Sequence, residues 1–377
     1  MRLNEDLHVQ TSTFKILAVV ASIFFFTNYL TGMFLPVYYV ELGLRIGDIA
    51  ALLLITFLIV GLLPTLLLRL TKNFERIFCL GIIFTMLFYA ALIYVKSPIV
   101  LGIAYGLSIA TFWPSFNLLQ FRLSTSKIRA RTVSLFSSII PSIASIVGPA
   151  AGGFIIESFK FQSLFALSII LYFVALIFST RMEFRAETCG LSIPRERKFL
   201  AFFATFIFFG MSEAYWLAYP LFVNKISETI SMMGVVLAAA SVIMSVITFM
   251  VNWLSDVKMR RVEFTVIGTL LSASWLFLIG YASKPHEIVL LSILSGLAGA
   301  FNLSWFAHYG DSFSKEHYAS TLVLMEVGLM TGRIINLLPT CIFLPDGNFL
   351  GYFTILGVFS LMLIPILIIS KTKLINC

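Results

Sequence analysis

The sequence predicts an all-α membrane protein whose twelve transmembrane helices form two pseudo-symmetric six-helix bundles. Three observations predict it: the composition, the spacing of apolar spans and the distribution of basic residues. Of the 377 residues, 59% are hydrophobic and 12% are charged. A soluble domain has about 45–50% apolar and about 25% charged residues. This surplus of apolar side chains cannot be buried inside a soluble globule, so the lipid bilayer is the partner that must cover it.

Twelve apolar spans follow one another along the chain, and each approaches or exceeds the roughly 20 residues that cross a hydrocarbon core. The longest connection separates six spans from six. We therefore expect an N-terminal bundle at 1–181, a cytoplasmic linker at 182–198 and a C-terminal bundle at 199–377. The span limits are 14–40, 46–69, 76–95, 98–121, 132–157, 161–181, 199–224, 231–254, 262–283, 286–310, 317–344 and 348–370.

Basic residues set the predicted orientation. With both termini in the cytoplasm, twenty Lys and Arg residues fall on the inner side and five on the outer side. Basic loops stay on the inner side of a membrane. The bias predicts a multi-pass protein of the plasma membrane with Met1 and Cys377 cytoplasmic. The net charge of +8 follows from this distribution and does not indicate a nucleic-acid partner.

The two halves of the chain are weakly similar to each other. Residues 24–40 align with 208–224 at an offset of 184, which matches Phe24 with Phe208 and Pro36 with Pro220. Internal similarity between two six-span halves is typical of transporters that rock one bundle against the other. Chance matching of Phe-rich spans is the alternative explanation for any single pair.

The fifth span contains a run of small residues around a proline, Gly148-Pro149-Ala150-Ala151-Gly152-Gly153. A proline in a membrane helix leaves a carbonyl without its donor, so neighbouring groups must supply one. Glycines let such neighbours approach closely. We therefore expect a close helix contact here; a simple packing kink is the alternative. The span follows a basic hairpin that includes Arg131.

A second motif lies between the eighth and ninth spans, where Leu254-Ser255-Asp256 is followed by Arg260 and Arg261. These two motifs, with the basic hairpin, resemble those of the Major Facilitator Superfamily. The Gly-Pro-x-x-Gly-Gly run resembles the antiporter motif of its drug:proton antiporter, or efflux, branch. The resemblance implies that Asp256, Arg260, Arg261 and Arg131 form a gate. The first-half copy of the loop motif is degraded, with Lys72 at the position of the acid.

Three ionisable residues clearly lie deep within apolar spans: Glu213 in the seventh, and Glu326 and Arg333 in the eleventh. A charge at the bilayer centre costs about 2.5–3.5 kcal/mol on insertion scales, so each should face a cavity or a partner. Glu326 and Arg333 share a helical face, but seven residues of rise separate them by about 10 Å. Arg333 is therefore expected to reach an acid or a carbonyl on another helix.

The resemblance implies that the first, fourth, seventh and tenth spans line a central cavity. Their polar and aromatic residues predict a site for a small amphipathic solute, with packing as the alternative role of each aromatic. The candidate lining residues are Asn28, Thr31, Trp113, Asn117, Gln120, Glu213, Trp216, Ser304, Trp305 and His308.

Glu213 is the first candidate for proton coupling, because no basic residue lies within its span. Burial without a partner favours the neutral form of a carboxyl and allows it to exchange a proton. Glu326 competes for this role, although Arg333 on its face would hold it ionised. On this hypothesis Glu326 and Arg333 organise the second bundle.

Other functional classes find little support in the sequence. No phosphate-binding loop, metal-ligand cluster or nucleophile–base set is found, so we expect no cofactor, no metal and no enzyme activity. A transporter-derived sensor would usually carry a soluble domain. The sequence therefore predicts a monomeric secondary transporter that moves a small molecule out by proton antiport. The alternative is proton-coupled uptake of a sugar, an organic acid or a peptide.

Overall fold

The computed structural model describes residues 2–71, 74–123, 135–182, 197–258, 261–312 and 318–374. Within these ranges the chain forms fourteen α-helices and no strand. The helices are α1 Arg2–Thr31, α2 Leu35–Glu41, α3 Ile46–Leu70, α4 Ile77–Tyr94, α5 Pro98–Arg122, α6 Ile140–Ser179, α7 Arg197–Met211, α8 Ala218–Ile226, α9 Ile230–Lys258, α10 Arg261–Ile279, α11 Pro285–Asp311, α12 Tyr318–Phe343, α13 Phe349–Leu361 and α14 Leu363–Leu374.

These helices are consistent with the predicted twelve spans. Nine of the described helical segments are long and apolar enough to cross a membrane, and two further apolar helices, Lys198–Met211 and Pro285–Gly299, are shorter. Helix α6 holds both the fifth and the sixth span, because Lys160 (φ 68°, ψ 168°) breaks its 40 residues into two helices. The first, seventh and twelfth spans are each interrupted, between α1 and α2, α7 and α8, and α13 and α14.

Helices α1–α6 form the first bundle and α7–α14 the second. The most extensive contacts between the bundles are those of α6 with α9 and of α3 with α12. The paired spans are the fifth with the eighth and the second with the eleventh, which are related by the internal symmetry. Most of the predicted linker, residues 183–196, lies outside the described residues.

The outer surface of both bundles is apolar. Leu62 of α3, Val147 of α6, Met250 of α9 and Leu338 of α12 are each more than half exposed. A soluble protein rarely exposes so much contiguous apolar surface, whereas lipid covers it without cost. The interior of the first bundle is instead filled by aromatic rings, such as Phe24 stacked on Phe112 at a centroid distance of 3.4 Å.

The glycines of the fifth span lie where helices approach closely, as expected. A Cβ added to Gly148 would lie 2.9 Å from the Leu30 nitrogen of α1, and one added to Gly152 would overlap the Leu30 carbonyl. Gly153 faces the other bundle, where an added Cβ would lie 2.7 Å from the Ile230 carbonyl oxygen and 3.3 Å from the Gly234 Cα of α9. Small residues on both helices thus allow this contact.

This contact closes the end of the molecule that we call the far end, formed by residues 42–45, 227–229 and 344–348. Glu157 of the first bundle reinforces it, because its Oε2 accepts a hydrogen bond of 2.9 Å from the Ser231 backbone N–H. Ser231 lies in the first turn of α9, where unpaired N–H groups favour a carboxylate. The two bundles are therefore held together at the far end.

Candidate functional site

The seventh span is broken at its centre. Helix α7 ends at Met211 and α8 begins at Ala218. Pro220 favours this break, because proline fits the first turn of a helix but not its interior. The freed carbonyls find a donor on another helix: the Asn336 side chain of α12 donates to the Met211 oxygen at 2.9 Å and to the Glu213 oxygen at 2.8 Å. Irregular backbone within a membrane is tolerated only with such partners.

A second hydrogen bond fixes the asparagine. The Tyr352 hydroxyl of α13 donates to Asn336 Oδ1 at 2.6 Å. Asn336 and Tyr352 are both buried, so the amide cannot exchange these partners for bulk water. The broken segment is therefore anchored to α12 and α13 independently of its own side chains.

The break positions Glu213 against Arg333 of α12. Arg333 donates from Nε to Oε2 at 2.7 Å and from Nη2 to Oε1 at 2.8 Å. The Trp216 indole donates to Oε2 at 2.6 Å, and the guanidinium carbon lies 4.7 Å from the Trp216 ring centroid. A two-bond arginine–carboxylate pair is among the strongest hydrogen-bonded contacts in proteins. Both charges are thus satisfied within this cluster.

The expectation that Glu213 has no charged partner is therefore wrong. The partner lies 120 residues away in sequence, so the residues of the seventh span alone could not reveal it. The expectation for Arg333 is confirmed, since it reaches an acid on another helix. Glu213 is paired with a cation, so the argument for proton coupling by an isolated Glu213 carboxyl no longer applies.

Glu326 is a buried carboxyl without a partner among the described residues. It lies two turns before Arg333 on α12 and its side chain is only 8% exposed. Within the part of the chain that the structure describes, Glu326 forms neither a hydrogen bond nor an ion pair. Arg333, the cation nearest to it among the described residues, is already bound by Glu213. Glu326 thus carries a buried acid group that can accept a new partner.

A cavity of about 380 Å³ lies between the bundles and contains this acid. The second bundle contributes Trp216, Glu326, Leu329 and Arg333. The first bundle contributes the rest of the wall, with aromatic and hydroxyl side chains from α1, α4, α5 and α6. Those residues are Phe24, Asn28, Thr85, Phe88, Tyr89, Tyr105, Ser108, Ile109, Phe112, Trp113 and Tyr172.

Of the predicted cavity residues, Asn28, Trp113 and Trp216 line this space. Thr31 does not: it is fully buried and hydrogen-bonded to the Tyr89 hydroxyl. Gln120 is also buried and donates to Asn117 Oδ1 at 3.4 Å, so this pair contributes to packing along α5.

Of the predicted face of the tenth span, Trp305 and His308 do not line this cavity. Trp305 is only 1% exposed, and its indole donates to Thr205 Oγ1 of α7 at 2.8 Å. A buried indole N–H needs such an acceptor, which fixes Trp305 within the second bundle. His308 packs beside it, with ring centroids 5.5 Å apart. The side chain of Ser304 lies outside the described residues.

The predicted gate residues are only partly described. Asp256 lies near the end of α9 and Arg261 begins α10, but their side chains are outside the described part. Arg131 and Arg260 lie outside the described residues altogether. The gate therefore stays a prediction.

Sequence reasoning missed the tyrosines of the cavity. Tyr89 and Tyr172 belong to the third and sixth spans, which were not predicted to line the cavity. Tyr105 lies eight residues, or about two turns, before Trp113, where the predicted face of the fourth span begins. Asn336 and Tyr352 were also missed. A polar residue at Asn336, three positions after Arg333, was the available signal.

Two further cavities lie beside the seventh span. One of about 410 Å³ lies between α6 and α9 and is lined by apolar and hydroxyl side chains, including Tyr29, Ser145, Tyr215 and Ser241. The other, of about 260 Å³, lies within the second bundle beside Glu213. Among the described residues, no group of three His, Cys, Asp or Glu side chains could hold a metal ion.

Comparison with known proteins agrees with this architecture. The family model of the Major Facilitator Superfamily matches residues 17–191 and 201–373. The chain belongs to the Major Facilitator Superfamily. It is therefore a membrane transporter, and the predicted fold class is confirmed. The two matched segments correspond to the two bundles. No curated protein matches the chain in sequence.

Solved structures of Major Facilitator Superfamily transporters share the fold of this chain. One is a POT family transporter in complex with a thioalcohol-conjugated peptide, with a TM-score of 0.76, 13% identity and 96% coverage of each chain. Another is the nucleoside transporter NupG, with a TM-score of 0.73, 11% identity and coverage of 95% of this chain and 99% of NupG. A third is the human organic anion transporter MFSD10, with a TM-score of 0.68, 12% identity and the same coverage.

Proposed function

We propose that this superfamily member is a proton-coupled secondary transporter that exports a small amphipathic compound by alternating access. The observation that carries the proposal is the buried, unpartnered Glu326 in a cavity between two bundles. A membrane-embedded carboxyl that can change its protonation state is a workable carrier of coupling protons. We further propose a monomer in the plasma membrane, and we propose cytoplasmic termini because the basic loops predict that orientation.

Glu326 replaces Glu213 as the proposed proton acceptor. Glu213 receives three hydrogen bonds from Arg333 and Trp216, so both of its carboxylate oxygens are already bound. Glu326 receives none. The charged and titratable groups around it are Arg333 of its own helix, Glu213 of the broken seventh span, and the tyrosines of the first bundle. Those tyrosines are Tyr89, Tyr105 and Tyr172.

Alternating access requires the bundles to separate at the far end. The contact of Gly153 with α9 and the Glu157–Ser231 hydrogen bond are the groups that must part. Neither contact involves bulky interlocking side chains, so the two bundles can separate here without repacking. This supports a reversible gate at the far end. The Gly-Pro-x-x-Gly-Gly run lies at this contact, and its resemblance to the antiporter motif supports export.

The alternative is uptake of a sugar, an organic acid or a peptide by proton symport. One observation favours it: Arg333 lines the cavity, and its Nη1 contacts only the Met330 sulfur, at 3.6 Å. That nitrogen could donate to a solute carboxylate. The solved peptide and organic anion transporters of the same fold are consistent with this alternative.

Proteoliposomes that contain a pH-sensitive dye test the proposal. A panel of ethidium, a dipeptide, uridine and benzoate would be added outside, with uptake of each solute measured in parallel. Antiport predicts that entry of one solute makes the interior more alkaline, and that Glu326→Gln abolishes this change. Acidification would support symport. Solute entry without any change in internal pH would contradict proton coupling.

A further inference from the structure

The charges of the cavity wall do not balance. Arg333 is the only cation among the described wall residues, and Glu213 already neutralises it through two hydrogen bonds. Glu326 adds its own carboxyl to this wall and has no partner in the described chain. When Glu326 is ionised, the site therefore carries one negative charge in excess.

The remainder of the wall suits a cation rather than a second anion. Eight of its fifteen residues are aromatic. Aromatic faces attract cations through the negative charge of their π-systems, with gains of about 0.5–2 kcal/mol that grow on desolvation. The protein already uses this attraction here, since the Arg333 guanidinium lies over the Trp216 ring.

We propose that the cavity binds a monovalent organic cation with aromatic groups, and that its positive charge pairs with the Glu326 carboxylate. This inference rests on the proposed function, because it names the solute class for the same site. A cation and a proton then compete for one carboxylate. Binding of the solute displaces the proton, which is the exchange that antiport requires.

The geometry favours a cation over a zwitterion or an anion. An anionic group would need the arginine, but two of its donor nitrogens are committed to Glu213 and its third contacts Met330. Releasing Arg333 would leave the Glu213 carboxylate with only the Trp216 donor, and uncovering a buried charge is costly. A cation at Glu326 disturbs none of these contacts.

Binding to the purified full-length protein tests the inference without any transport step. The probes are tetraphenylphosphonium and tetraphenylborate, which match in size and shape and differ in the sign of their charge. Binding is measured by equilibrium dialysis in detergent at neutral pH, for the wild type and for Glu326→Gln. The control is Glu228→Gln, which removes an exposed carboxyl between α8 and α9. Melting curves confirm that each variant is folded.

The inference predicts that the protein binds tetraphenylphosphonium in preference to tetraphenylborate. Glu326→Gln should weaken phosphonium binding by about tenfold or more, which corresponds to about 1.4 kcal/mol, while Glu228→Gln leaves it unchanged. Lowering the pH should weaken binding to the wild type but not to the folded Glu326→Gln variant. Equal binding of both probes, a preference for the borate, or phosphonium binding that is insensitive to Glu326→Gln would overturn the inference.

The two levels of the proposal fail separately. If phosphonium binds through Glu326 but liposomes show no solute-driven pH change, the cation site stands and proton-coupled transport fails. If a neutral or anionic solute drives a pH change while phosphonium does not bind, transport stands and the cation assignment fails.

Discussion

Glu213 and Arg333 form a two-bond ion pair across the second bundle, with N–O distances of 2.7 and 2.8 Å. One partner lies in the interruption of the seventh span and the other on α12, so the pair ties the least regular segment to a continuous helix. Their side chains are 28% and 14% exposed, respectively. The pair is therefore mostly shielded from solvent, and its Arg333 forms part of the cavity wall.

Removing the arginine should destabilise the protein more than removing the whole pair. We expect Arg333→Met to cost about 3 kcal/mol, because it leaves the partly buried Glu213 carboxylate without a cation. The Glu213→Gln/Arg333→Met double variant should recover much of this loss, since no unpaired charge remains. Thermal unfolding in detergent measures both. A double variant less stable than Arg333→Met would show that the ion pair itself, rather than the avoided charge, dominates.

Asn336, which anchors the broken seventh span, should contribute strongly to the stability of the protein. Asn336→Ala leaves the Met211 and Glu213 carbonyls without their donor, and an unsatisfied buried group costs about 1–3 kcal/mol. Tyr352→Phe removes one hydrogen bond to Asn336 and should cost about 1 kcal/mol. Asn336→Ala should therefore lower the melting temperature more than Tyr352→Phe does. Equal melting temperatures for the wild type and Asn336→Ala would mean that the break is stable without it.

Even a methyl side chain at Gly153 should loosen the far-end contact. Gly153→Ala places a Cβ about 2.7 Å from the Ile230 carbonyl oxygen, so α6 and α9 must move apart. Spin labels at the exposed far-end residues Glu41 and Glu228 should report a longer mean distance. Gly47→Ala is the matched control, because nothing lies within 4 Å of its added Cβ. An unchanged distance in Gly153→Ala would show that this contact does not set the far-end closure.

The sequence could predict the spans, the close approach at the fifth-span glycines and the need of Arg333 for an acid. Each of these follows from residues of one helix and their local chemistry. It could not predict that the acid is Glu213, because helical periodicity says nothing about the register between two helices. Trp305 is a second example. Its position on the tenth span is compatible with a cavity wall or with packing, and only the contact with Thr205 of α7 distinguishes the two.

The orientation of the chain can be tested with its own cysteines. In a background where Cys79 and Cys341 are replaced by serine, an impermeant thiol reagent should label Cys189 and Cys377 only after the cells are permeabilised. The basic bias of the loops is the reason for this expectation. A far-end cysteine, Glu228→Cys, should be labelled in intact cells and serves as the positive control. Strong labelling of Cys189 or Cys377 in intact cells would reverse the topology.

Infrared difference spectroscopy during a pH titration tests the central claim most directly, because it observes protonation of individual buried carboxyl groups. The account predicts a protonated-carboxyl band that appears as the pH is lowered, disappears in Glu326→Gln and persists in Glu213→Gln. Glu228→Gln serves as the reference for exposed acids. A band that survives Glu326→Gln and is lost in Glu213→Gln would contradict the account and return the coupling proton to the ion-paired glutamate.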